Sequence, residues 1–66
     1  MNWDRVKGNW KIFKGKAQQQ WGELTHDDLD KIEGSRTELI GRLQARYGIA
    51  QDEAERRVNS WTDTLV

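Results

Sequence analysis

The sequence predicts an all-α domain, and three observations carry that prediction. Large apolar residues recur at helical spacings, start and stop signals punctuate the chain, and neither a proline nor an alternating strand pattern interrupts it. Sixty-six residues suit one domain with a thin core, expected here over residues 1–66. Hydrophobic residues make up 35% and charged residues 33% of the chain, and mean hydropathy is −1.01. Four tryptophans nevertheless argue against a disordered chain, which ordinarily has few aromatics. The combination predicts a compact aromatic core under a heavily solvated surface.

The first element begins with an echo: Trp3-x-x-Val6-Lys7-Gly8 is followed by Trp10-x-x-Phe13-Lys14-Gly15. Trp3, Val6, Trp10, Phe13, Ala17, Trp21 and Leu24 stack along one side of a helix, while Gly8, Gly15 and Gly22 fall on the opposite side. A solvent-facing helical glycine costs roughly 1 kcal/mol relative to alanine. The first helix is therefore expected to be held by tryptophan burial and to be weak on its own. Gly8 is expected to divide it into a loose first turn and a firmer helix from Asn9 to Trp21. Ile12 points away from the apolar stripe.

Thr25 caps a short second helix, with Asp27 and Asp28 at the positive end of its dipole, Leu29 and Ile32 inward, and Gly34 as its stop. Ser35 and Glu38 form a capping box for the third helix, whose stripe is Leu39, Ile40, Leu43 and Tyr47. Gly48 ends it in a left-handed turn, with Ile49 packing back. The fourth helix runs from Ala50 or Gln51 to near Leu65, with Ala54, Val58, Trp61 and Leu65 inward. On its wet face, Asp52 with Arg56 and Glu53 with Arg57 stand at i,i+4. Trp10, Phe13, Leu43 and Trp61 are expected to be buried at the centres of their stripes.

Candidate chemistry is sparse. No cysteine is present, so disulfides and thiolate metal sites are excluded. His26 stands beside Asp27 and Asp28, but these residues do not reproduce a calcium loop or a zinc site, and they read as a helix start. The serines lack histidine and acid partners, and the glycines match no phosphate loop. No catalytic, cofactor-binding or metal-binding residue is assigned, and no cofactor is expected. The chain also lacks an apolar run long enough for a signal peptide or a membrane span. A soluble, cytoplasmic, monomeric protein away from membranes is the expectation, with its partner unknown.

Charge is the remaining signal. The balance is 11 basic against 11 acidic residues, unevenly placed. Five basic residues oppose one acid between Met1 and Gly22, and five acids oppose one lysine between Glu23 and Gly34. Lys7, Lys11 and Lys14 line one flank at i, i+4, i+7, and with Arg5 they form a candidate polyanion-binding surface. The preferred reading is that this flank offsets the acids of residues 23–34, and nucleic-acid binding is the alternative.

Several stretches carry a resemblance. Asn9-Trp10-Lys11 with Phe13-Lys14-Gly15-Lys16, Trp21-Gly22 with Leu24-Thr25 and Asp27-Asp28, and Glu33-Gly34 with Arg36 come first. Leu39-Ile40-Gly41, Arg46-Tyr47-Gly48-Ile49, Asp52-x-Ala54-Glu55 and Trp61 extend the pattern. The chain closely resembles the CsbD-like family of small bacterial stress proteins over nearly its whole length. Gln18, Gln19 and Gln20 depart from the lysine or glutamate often found there, and the tail after Trp61 is not distinctive. The resemblance implies a four-helix array of two roughly orthogonal helical hairpins, similar to the sterile-alpha-motif bundle. It also implies an abundant cytoplasmic protein of the general stress response with no catalytic residues to carry over.

Overall fold

A computed structural model describes residues 3–65. Among them the chain forms five helices: α1 Trp3–Gly8, α2 Trp10–Gln20, α3 His26–Ile32, α4 Arg36–Tyr47 and α5 Gln51–Thr64. The all-α expectation holds, but the count of four does not. The first segment breaks in two at Asn9, which has φ −122° and ψ 35°.

Asn9 occupies the break and bonds to both sides of it. Its backbone N–H donates to the carbonyls of Arg5 and Val6, both at 3.2 Å, and its side-chain amide donates to Arg5 O at 3.0 Å. These bonds close the end of α1. The Asn9 carbonyl then accepts from the N–H groups of Ile12 and Phe13 and starts α2. The split falls where Gly8 was expected to place it, since Gly8 is the last residue of α1 and α2 begins at Trp10.

Later boundaries follow local chemistry. Thr25 Oγ1 accepts from Asp28 N, and Asp28 Oδ2 accepts from Thr25 N, each at 3.0 Å, so the reciprocal capping box belongs to α3. Ser35 Oγ accepts from Glu38 N at 3.3 Å, while the Glu38 carboxylate lies 3.7 Å from Arg42. The box expected at α4 is thus half made, because its acid turns toward an arginine. Helix α3 ends through two successive left-handed residues, Glu33 (φ 49°) and Gly34 (φ 81°). Gly48 (φ 63°) ends α4, its N–H donating to Gln44 O at 2.9 Å. On α5, Arg56 and Arg57 both pair with Glu53, at 3.3 and 3.4 Å. Asp52, expected to hold Arg56, instead accepts the Glu53 N–H.

One apolar cluster runs through all five helices, from Val6, Phe13, Ala17, Trp21 and Leu24 to Leu29, Ile32, Leu39, Leu43, Val58 and Trp61. Trp61 is its aromatic centre. It meets Trp21 edge-on at 5.1 Å between ring centroids and Trp3 at 6.3 Å, so α5 touches both ends of the N-terminal segment. Trp10 is only half-buried, contrary to expectation, and packs on the margin of the cluster. The reason is its indole N–H, which donates to Leu29 O at 2.9 Å and holds the ring at the rim. Trp3 behaves similarly, donating to Gly34 O at 2.8 Å. A Cβ built on Gly34 would lie 3.0 Å from Lys7 Cα, so this glycine permits both the turn and the close approach of α1. Gly8, Gly15 and Gly22 face open space, as their spacing predicts.

Candidate functional site

The four residues of the basic flank do not form one surface. Lys7 stands on α1 and Lys11 and Lys14 on α2, across the break at Asn9, whereas Arg5, two positions before Lys7 in α1, points about 200° away around the helix. Lys14 is engaged, its Nζ lying 3.0 Å from Asp30 Oδ1 on α3. Both partners are more than one-third exposed, so the pair contributes well under ~1 kcal/mol. Its direction, basic α2 toward acidic α3, is the one the charge distribution predicts. Lys7 and Lys11 stay exposed. Lys11 and Lys14 also border a cleft of about 210 Å³ with Gln18, His26 and Leu29. There Gln18 Nε2 donates to Leu24 O at 2.7 Å, while its Oε1 is buried without a partner among the described residues.

The most concentrated electrostatic feature is Asp28, which the sequence offered only as a helix-start acid. Its side chain is buried at 2% exposure, and both oxygens are engaged. Arg46 donates to Oδ2 from Nε at 2.8 Å and to Oδ1 from Nη2 at 3.0 Å. Arg42 adds a bond to Oδ1 at 3.1 Å, and Thr25 N completes the set at Oδ2. The Arg46 guanidinium and then the Thr25 amide hold the carboxyl far below the usual range, against the upward push of burial. The same contact raises Arg46 further. Helix α4 places Arg42 and Arg46 one turn apart on the face toward α3, and this acid clamps the two helices together. Thr25-x-x-Asp28 is a readable capping signal, but nothing local pairs Asp28 with arginines 14 and 18 residues downstream.

A second arrangement was equally invisible in the sequence. A cleft of about 400 Å³ opens where the end of α2, the end of α4 and the outer side of α5 meet, lined by Trp21, Tyr47, Glu53, Arg56, Arg57 and Ser60. The Arg57 guanidinium lies over the Tyr47 ring, 5.7 Å from its centroid. The Tyr47 hydroxyl accepts from Glu23 N at 3.4 Å, which fixes the ring from its far end. Arg56 has 68% of its side chain exposed and Arg57 has 42%, with Glu53 between them. The cleft is a cationic, partly aromatic wall. No group of three or more His, Cys, Asp or Glu side chains that could hold a metal occurs among the described residues. None of the helices described is long and apolar enough to cross a membrane.

A sequence model described as CsbD-like matches residues 4–56. A UPF0337 protein of Pectobacterium atrosepticum is 57% identical over 63 residues, covering 96% of this chain and 91% of that protein. The UPF0337 protein YjbJ of Escherichia coli K12 is 54% identical over 61 residues, covering 92% and 88%. A UPF0337 protein of Rhodopseudomonas palustris is 55% identical over 65 residues, covering 98% of both chains.

Proposed function

The chain belongs to the CsbD-like family, and from that premise we propose a small, non-catalytic stress-response protein of the cytoplasm that acts by binding or by abundance. One observation carries the reading. Asp28, the acid whose ionisation is most displaced, has both oxygens engaged by Arg46, Arg42 and Thr25. A carboxylate held charged in this way is a poor proton donor or acceptor near neutral pH, so its perturbation serves the scaffold. The helical hairpins that the resemblance implies belong to the same proposal. Packing of α2 on α3, α3 on α4 and α4 on α5 in chain order supports them.

Graded expression in a strain lacking the gene tests the reading. Survival under stress should rise in proportion to the amount of protein. Full rescue at trace amounts would indicate turnover and overturn the proposal.

A second reading, a weak polyanion binder, draws on the exposed Lys7 and Lys11. With Lys14 engaged by Asp30, two phosphate contacts would give a slope of about −1.8 in log affinity against log salt on duplex DNA. Binding that is weak or absent at physiological salt is the expected result. Tight, salt-sensitive binding lost on changing both lysines to glutamine would reverse the order of the two readings.

A further inference from the structure

We infer that the cleft between α2, α4 and α5 is a binding site for a phosphorylated nucleoside, with Arg57 as the stacking platform and Arg56 as the phosphate contact. The inference rests on the reading that this protein acts by binding, and it names a ligand class that the reading leaves open.

Three observations converge. Tyr47, half-buried, is held at its hydroxyl by Glu23 N. Over that ring, 5.7 Å from its centroid, stands the planar Arg57 guanidinium, whose side chain remains 42% exposed while its Nε donates to Glu53 at 3.4 Å. A guanidinium backed by an aromatic ring is a ready surface for a nucleobase, since a base stacks on the exposed face of the cation. Beside it, the Arg56 guanidinium donates one bond to Glu53, at 3.3 Å. That leaves N–H groups available to phosphate oxygens in the forked geometry this side chain favours. The Ser60 hydroxyl on the same wall adds a neutral partner suited to a sugar hydroxyl. A volume of about 400 Å³ lies at the lower end of the range for small-ligand sites.

Charge and shape select the class together. The two arginines outweigh Glu53, so the wall favours an anion. A simple anion would use the guanidinium edges and leave the flat face of Arg57 idle. A nucleoside without phosphate would use the face and leave Arg56 idle. A nucleotide uses both. Lys7, Lys11 and Lys14 do not line this cleft.

The experiment is an amide chemical-shift titration of the intact chain with AMP, adenosine and inorganic phosphate at matched ionic strength. AMP should shift Trp21, Tyr47 and the stretch from Glu53 to Ser60, and should bind roughly tenfold or more tightly than either fragment. Arg57→Lys keeps the charge but removes the plane, so AMP affinity should fall to that of phosphate while the dispersed spectrum of the folded chain persists. A short oligoadenylate separates two sources of the same chemistry. Equal affinity per site indicates a free nucleotide, and a large gain indicates the unit of a single strand. Absence of localised shifts at millimolar AMP, or phosphate alone reproducing the AMP pattern, overturns the inference. Such a failure would leave the dose-dependent rescue proposed above untouched, so the two ideas fail separately.

Discussion

The N-terminal pair α1–α2 and the trio α3–α5 are helical for different reasons. Helices α3 and α4 are capped by their own side chains, at Thr25 and Ser35, and α4 is closed by the left-handed Gly48. The Asp28 clamp then ties α3 to α4. Helix α2 starts at Asn9 with no side-chain cap bond, and Gly8 and Gly15 stand on the solvent side of the pair. What holds the pair down is its apolar face, with the indole N–H bonds of Trp3 and Trp10 to carbonyls of Gly34 and Leu29. The difference teaches that helical backbone alone says little about local stability. Helices α3 and α4 carry local instructions, whereas the pair, like the start of α5 at Ala50 with no side-chain cap bond, is ordered mainly by the surface it lies on.

The strongest way to break the comparison is to remove the residue that serves both regions. Trp61→Ala should cost about 3–5 kcal/mol, which approaches the whole stability of so small a domain. It should melt both regions together, because Trp61 touches Trp3 and Trp21. Circular dichroism on heating would show one cooperative loss. Survival of a folded α3–α5 remnant would show that the trio is independent of the pair.

Asp28→Asn tests the trio alone. It should cost about 2–3 kcal/mol at neutral pH, less than for a fully enclosed ion pair because Arg46 can regain water. The pH profile gives a sharper reading. A carboxyl whose native pKa is depressed contributes stability above its unfolded value of about 3.9, and loses it progressively as pH falls toward the native value. Urea unfolding of the wild type should therefore weaken from about pH 4 downward, and the variant should be flatter over the same range. Equal slopes would remove Asp28 from the account.

Two glycines sharpen the contrast at smaller cost. Gly34→Ala should destabilise by about 1–2 kcal/mol, since its φ of 81° disfavours a side chain and the new Cβ would press on Lys7 Cα. Hydrogen exchange should show α1 loosening first. Gly15→Ala should do the reverse, stabilising by up to about 1 kcal/mol, because the site is helical and nothing lies within 4 Å of an added Cβ. Its gain should appear as slower exchange in α2 with little change in α4 and α5. A loss at Gly15 would mean that the pair is not limited by its own backbone.

The sequence by itself determined most of what operates within about one helical turn, the Asp52–Arg56 pair and the Glu38 half of the α4 box being the exceptions. The Thr25 and Ser35 caps, the Gly48 stop, the outward glycines and the inward stripes all rest on contacts from i to i+4, whose geometry the chain carries with it. The Glu53–Arg57 pair was legible for the same reason. Tertiary structure decided the rest. Trp10 stops at the rim because a carbonyl 19 residues away accepts its N–H, and Asp28 becomes a clamp because α4 lies against α3. The candidate nucleotide cleft belongs wholly to this second class. Trp21 follows α2, Tyr47 ends α4 and Arg57 lies on α5, and only the packing of those helices sets the distance between a ring and a guanidinium. Periodicity fixes which way a side chain points from its own helix, whereas what it meets depends on where the other helices lie.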